Sequence, residues 1–143
     1  MNQIANTDQA EFWSGDPGQA WTSKQPFFDA LLEPALSVLF EAAGLQQGDH
    51  VVDIGCGTGA SLLEAATRVG ETGMLTGVDV STPMLAKAVE RVKSAGLKNV
   101  QCIEADAQVY DMTPFQADHV ISRFGVMFFE EPHAAFANIA TAV

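Results

Sequence analysis

The segment Val51–Gly59, VVDIGCGTG, constrains this chain more than any other. His50–Ile54 reads as a short buried strand, and the alternate glycines of Gly55–Gly59 break it into a tight loop. Glycines there let the backbone turn sharply and let another group approach without meeting a Cβ. The following residues switch period. Ala60 to Val69 places Leu62, Leu63, Ala66 and Val69 on one helical face. Met74 to Val78 is a second strand, and Ser81-Thr-Pro83 supplies an N-cap and a first-turn proline for a helix stopping near Gly96. Val100 to Ala105 is a third strand, Asp118 to Ser122 a fourth, and Pro132 to Ala140 begins another helix. Strands alternating with helices predict an α/β fold with a parallel sheet and right-handed crossovers.

The first 48 residues follow a different pattern. Pro26 to Gly44 is strongly apolar, with Asp29, Glu33, Ser37 and Glu41 recurring every four residues. That spacing predicts a helix with a narrow polar stripe, buried around most of its circumference and divided at Pro34. It would pack across the sheet or the site; a gating lid is the other reading. Residues 1–48 are therefore taken as an N-terminal helical segment and 49–143 as the sheet domain.

With 143 residues, 48% of them apolar and 17% charged, one core can form. The net charge of −11 repels a phosphate backbone, so nucleic acid is not an expected partner. No secretory signal opens the chain and no apolar run spans a bilayer, so no membrane partner is expected. Two cysteines, Cys56 and Cys102, are too few for a disulfide framework and point to free thiols in a reducing cytoplasm.

The glycine loop alone leaves two chemistries open. Gly55, Gly57 and Ala60 satisfy a loose dinucleotide fingerprint, with Asp79 about twenty residues on, which suits an NAD-dependent oxidoreductase. Two further acids favour a cationic nucleoside. Asp53, two residues before Gly55, is an awkward neighbour for a pyrophosphate and a good one for an ammonium or sulfonium. Asp106 follows the third strand, where an adenine edge would lie once Asp79 holds the ribose. An acid at the carboxyl end of each of three parallel strands puts all three at one sheet edge. Cys56 reads as a small filler, since nothing near it in sequence would activate a thiolate. Met127, Phe128 and Phe129 read as core. His50 and His119 begin their strands and so lie at the opposite edge, roughly 10 Å away in the case of His119. His133 starts a helix and faces solvent. No catalytic residue and no metal site is assigned.

Val51–Gly59, then Gly77–Met84, then Glu104–Ala107 resemble motifs I, II and III of class I S-adenosylmethionine-dependent methyltransferases. Within that superfamily the chain is most similar to the ubiquinone/menaquinone-biosynthesis-like branch of small-molecule methylases. Ile121–Phe129 with Glu131-Pro132, and the pieces Phe12-Trp13 and Gly18–Trp21, resemble one subgroup. The resemblance implies a Rossmann-like sheet with helices on both faces. Its strand order would be 3-2-1-4, with strands five to seven of the family's sheet absent, as in a C-terminally truncated chain. It also implies S-adenosylmethionine as cofactor, S-adenosylhomocysteine as product and a small-molecule methyl acceptor. By the same resemblance Gly55, Gly57 and Gly59 line the methionine moiety and Asp53 reaches its amino group. Asp79 chelates the ribose, Val80 and Met84 pack on the adenine, and Asp106 and the Ala107 amide meet its polar edge. Ser122 lines the methionine end through its backbone, and Trp21, Gln25 and Arg123 meet the carboxylate end.

A non-catalytic binding or assembly module remains a further alternative. The chain alone is expected to transfer methyl groups poorly. It is also expected to form a homodimer through the exposed fourth strand or the N-terminal helices.

Overall fold

The apolar runs and their glycine and proline stops become elements close to where the patterns place them, in a computed structural model that describes residues 2–143. Three helices come first: α1 (Thr7–Ser14), α2 (Asp16–Ser23) and α3 (Gln25–Ala43). The alternating part follows as β1 (His50–Ile54), α4 (Ala60–Val69), β2 (Met74–Asp79), α5 (Thr82–Ser94), β3 (Val100–Glu104), β4 (His119–Ile121) and α6 (Pro132–Ile139), closed by a short 3-10 turn at Ala140–Ala142. All three strand pairings are parallel, in the order β3-β2-β1-β4. The fold is therefore the Rossmann-like α/β class with the partial strand order expected.

Neighbouring residues of β1 serve opposite faces. Val51 joins a cluster with Leu62, Val69, Leu75, Leu85 and Phe40, whereas Val52 and Ile54 join Val78, Met112 and Ile139. A strand covered on both sides needs apolar residues at every position, which explains the unbroken run before Asp53. Each crossover is set locally. Ser81 caps α5 by accepting from the Met84 amide, Pro83 fits its first turn, and Gly70 and Gly96 take up positive φ beyond the ends of α4 and α5.

Two expectations about the N-terminal segment are corrected. Pro34 does not divide α3, which runs unbroken from Gln25 to Ala43. A proline costs a helix a hydrogen bond to the residue four before it. Both Pro34 and Ala30 lie on the exposed side, so water can satisfy the carbonyl left without a donor. The helix is also held on both sides of the proline. Arg91 bonds Asp29 at 2.7 Å, Arg123 donates to the Leu32 carbonyl at 3.3 Å, and Leu36, Leu39 and Ala43 sit on the core.

Nor is α3 buried around most of its circumference; Phe40 alone is fully buried. Asp29 turns inward to its arginine, while Phe27, Leu31 and Val38 are 61%, 58% and 66% exposed. Only one flank of the helix meets the sheet layer, so the sequence's apolar excess faces outward.

Candidate active site

The carboxyl ends of β1, β2 and β3 open onto a cavity of about 350 Å3. Its floor is the loop after β1. Gly55 has φ +71° and Gly57 φ +54°, and a Cβ on Gly55 would stand 2.6 Å from the Gly125 Cα. Two backbones thus touch where the loop passes the segment after β4, a contact only a glycine permits at Gly55. Gly125 lies within the run Ile121–Phe129 but had no role assigned from sequence.

Asp53, at the end of β1, is 1% exposed. One oxygen accepts from the Ser61 hydroxyl, and the other, Oδ1, has no partner. Burial pushes its pKa from 3.8 up to about 7, against the opposing Ser61 hydrogen bond. Ser61, and not Asp53, lines the cavity, so the carboxylate stands behind a hydroxyl. Ser61 sits in the first turn of α4 on its buried face; sequence offered only its place after the glycines as a signal.

Asp79, at the end of β2, receives the Gly57 amide at 2.7 Å and the Ser81 amide at 2.8 Å. Burial raises its pKa and these amides oppose the rise. One side chain therefore ties the glycine loop to the start of α5. Val80, Met84, Asp106 and Ala107 complete this side of the cavity.

The opposite wall carries Trp21, stacked on Phe28 at 3.9 Å, with Trp13, Phe124, Met127 and Phe128. Met127 and Phe128 are 63% and 42% exposed, which corrects their reading as core. Phe129 packs against the inner cluster and also reaches the cavity. Among the described residues Arg123 brings the one guanidinium at the cavity wall. Burial lowers its pKa, while Asp29 and Asp53 act against that.

Four of the expected residues do not line the cavity. Gln25 donates to Asp29 at 2.6 Å instead. The Ser122 hydroxyl donates to the Ile54 carbonyl and accepts from the Gly125 amide, fixing the floor from below. Gly59, with φ +90°, starts α4 against Ala88. Asp53 is the fourth. Cys56 is buried and its thiol pKa is pushed well up by burial, consistent with a filler. His119 pairs with Asp49 at 3.1 Å and His50 meets Thr76 at the far sheet edge, while His133 is exposed. Among the described residues no group of His, Cys, Asp or Glu converges to hold a metal. Asn6 and Gln9, from the chain's start, reach the cavity without any sequence signal.

The family described as "methyltransferase domain" matches residues 51–143. Aklanonic acid methyltransferase DauC of Streptomyces sp. (strain C5) is 33% identical over 93 residues, 65% of this chain and 42% of that protein. The demethylmenaquinone methyltransferase of Listeria welshimeri is 35% identical over 82 residues, 57% of this chain and 35% of its own length. This chain thus spans less than half the length of these relatives.

Among solved structures, a SAM-dependent methyltransferase from Aquifex aeolicus superposes with a TM-score of 0.69 at 26% identity, covering 76% of this chain and 57% of that one. Phosphoethanolamine N-methyltransferase 2 of Haemonchus contortus, solved with S-adenosylhomocysteine, gives 0.70 at 30% identity over 77% of this chain and 25% of its own.

Proposed function

This chain belongs to the methyltransferase domain family, and on that premise we propose that it binds S-adenosylmethionine in the cavity above β1–β3 and presents its methyl group to a small-molecule acceptor. The observation that carries this reading is the unpartnered Oδ1 of buried Asp53 beneath a glycine floor. A buried carboxylate oxygen without a donor is costly, and a ligand ammonium, direct or through water, would satisfy it. A pyrophosphate at the same place would be repelled, so the dinucleotide alternative gains no support.

The residues would divide the ligand as follows. Gly55, Gly57 and Gly59 shape the methionine end, with Asp53 acting through the Ser61 side and Ser122 holding the floor. Trp21 and Arg123 face the carboxylate end; Gln25 contributes by holding Asp29. Asp79 has the capacity to accept from a ribose diol beside its two amide bonds. Val80 and Met84 flank the adenine, and Asp106 and the Ala107 amide serve its polar edge. Bound there, S-adenosylmethionine supplies an electrophilic methyl on a sulfonium leaving group. The protein's own part is positioning, so no residue is assigned a proton transfer.

Residues 49–143 form the cofactor-binding unit and 1–48 the helical segment that walls it. The exposed stripe Phe27, Leu31 and Val38, together with the edge position of β4, supports a homodimer. The two free cysteines, one of them buried, suit the reducing cytoplasm. No helix among the described residues is long and apolar enough to cross a membrane.

Calorimetry with S-adenosylmethionine, S-adenosylhomocysteine and NAD tests the reading. The two sulfur ligands should bind and NAD should bind little; tighter binding of NAD would overturn it.

A further inference from the structure

The acid expected to read the adenine amine is already fully engaged by the chain's own N-terminal segment. Asp106 Oδ2 accepts from the Ala5 amide at 2.9 Å and the Asn6 amide at 2.7 Å. The Asn6 side-chain amide reaches both carboxylate oxygens at 2.9 Å, and the Gln108 amide donates to Oδ1 at 2.9 Å. A carboxylate offers about four acceptor sites, and four different N–H groups occupy them here. Asp106 is 1% exposed and Asn6 5%.

Asn6 also departs from its usual local role. It stands at the N-cap of α1, where asparagine ordinarily accepts from the helix's own first amides, yet it makes no such bond. Its side chain is spent elsewhere. Nδ2 reaches Asp106 and, at 3.2 Å, Gln108 Oε1, and Oδ1 accepts from the Glu130 amide at 2.6 Å. Gln108 Oε1 in turn accepts from the Glu131 amide at 3.1 Å. One side chain thus joins the start of the chain, the loop after β3 and the segment before α6.

We propose that residues 2–6 form a strap across the adenine end of the cavity, with Asn6 as a latch that competes with the ligand's exocyclic amine for Asp106. This rests on the cofactor reading above. In the latched state Asp106 has no site left for the amine. Cofactor binding and strap release are therefore one coupled step, and Asp106 exchanges the Ala5 and Asn6 donors for the amine while keeping Gln108. A strap closed in about nine of ten molecules would weaken apparent affinity about tenfold, since only the open fraction competes for ligand. Release of Asn6 also frees the Glu130 amide, so the wall carrying Phe128 and Phe129 would loosen as the adenine seats.

The test uses three proteins: this chain, its Asn6→Ala variant, and the chain lacking residues 2–6. S-adenosylhomocysteine is titrated into each by calorimetry, as is its analogue with hydrogen in place of the exocyclic amine. We expect affinity for S-adenosylhomocysteine to rise about tenfold in one or both variants, with no matching rise for the analogue carrying hydrogen in place of the amine. Hydrogen exchange of the Ala5 and Asn6 amides in the unaltered chain should accelerate when S-adenosylhomocysteine binds. This readout needs no substitution and so does not depend on a variant folding.

Equal or weaker binding by both variants with the amides still protected in the complex would overturn the latch. So would an equal gain for both ligands, which would mean obstruction without competition for Asp106. Failure of all three proteins to bind S-adenosylhomocysteine would overturn the cofactor reading itself, and the latch with it.

Discussion

At the scale of single residues, Asp53 and Asp79 differ in what their carboxylates already touch. Asp53 ionises near 3.8 when exposed in an unfolded chain and at about 7 in the fold. Between these values the folded state holds the extra proton. Its contribution to stability is therefore present below about 3.8 and lost as pH rises through about 7. A ligand ammonium needs the ionised form, so affinity should have the opposite trend. S-adenosylhomocysteine binding should strengthen about tenfold per pH unit up to about 7 and level off above. Asp53→Asn should flatten that profile and melt higher than the unaltered chain at about pH 8. Titration calorimetry across this range, with melts at its ends, checks both, and an unchanged pH profile in the variant would remove Asp53 from ligand binding.

Asp79→Ala should have a double cost. Loss of the ribose contact lowers affinity by about 2–4 kcal/mol. Loss of the acceptor for the Gly57 and Ser81 amides lowers stability by about 1–3 kcal/mol per amide left unsatisfied. Denaturant unfolding with and without S-adenosylhomocysteine separates the two.

At the scale of elements, Gly18 shows how tertiary contact overrides propensity. Glycine inside a helix costs about 0.5–1 kcal/mol relative to alanine, so the local expectation is that Gly18→Ala stabilises α2. In the fold a Cβ there would overlap the Trp13 carbonyl oxygen, with the Ser81 hydroxyl 3.1 Å away. That hydroxyl itself donates to the Trp13 carbonyl, tying α1 to the start of α5. A clash against backbone outweighs the propensity gain, so Gly18→Ala should lower the melting temperature and open α1 and α2 to limited proteolysis. A variant that melts higher than the parent would show that α1 is not seated on α2 in this way. The same reasoning covers α3, where Pro34 is tolerated because the Ala30 carbonyl it leaves without a donor faces outward and inward clamps hold both halves.

At the scale of the whole molecule, the acidic charge and the apolar stripe on α3 act against each other. Phe27, Leu31 and Val38 stand on one exposed face, and β4 presents a free edge beyond β1. Burying the stripe in a two-fold contact is the simplest way to remove it from water, while a net charge of −11 resists close approach at low salt. Light scattering at micromolar concentration should give a dimer that strengthens with added salt. Leu31→Glu should return it to a monomer with its fold intact. A monomer at all salt concentrations would show that this face has no second copy on it.

The sequence by itself determined the strands, the loop and the edge at which three acids gather. Each depends on neighbours in the chain: an apolar run long enough to bury, a glycine where φ must be positive, an acid at a strand's end. That is why β1, α4, β2 and α5 were legible almost to the residue, and why Asp53, Asp79 and Asp106 could be placed at one sheet edge. The tertiary structure alone decided what those acids touch. Asn6 meets Asp106 across 100 residues, Arg91 meets Asp29 across 62, and Gly125 lies against Gly55. Such partnerships depend on how the N-terminal helices settle on the sheet, and no local period records that docking. Gln25 left the site because a nearer carboxylate, Asp29, holds its amide. Ser61 entered it because the first turn of α4 stands between Asp53 and the cavity.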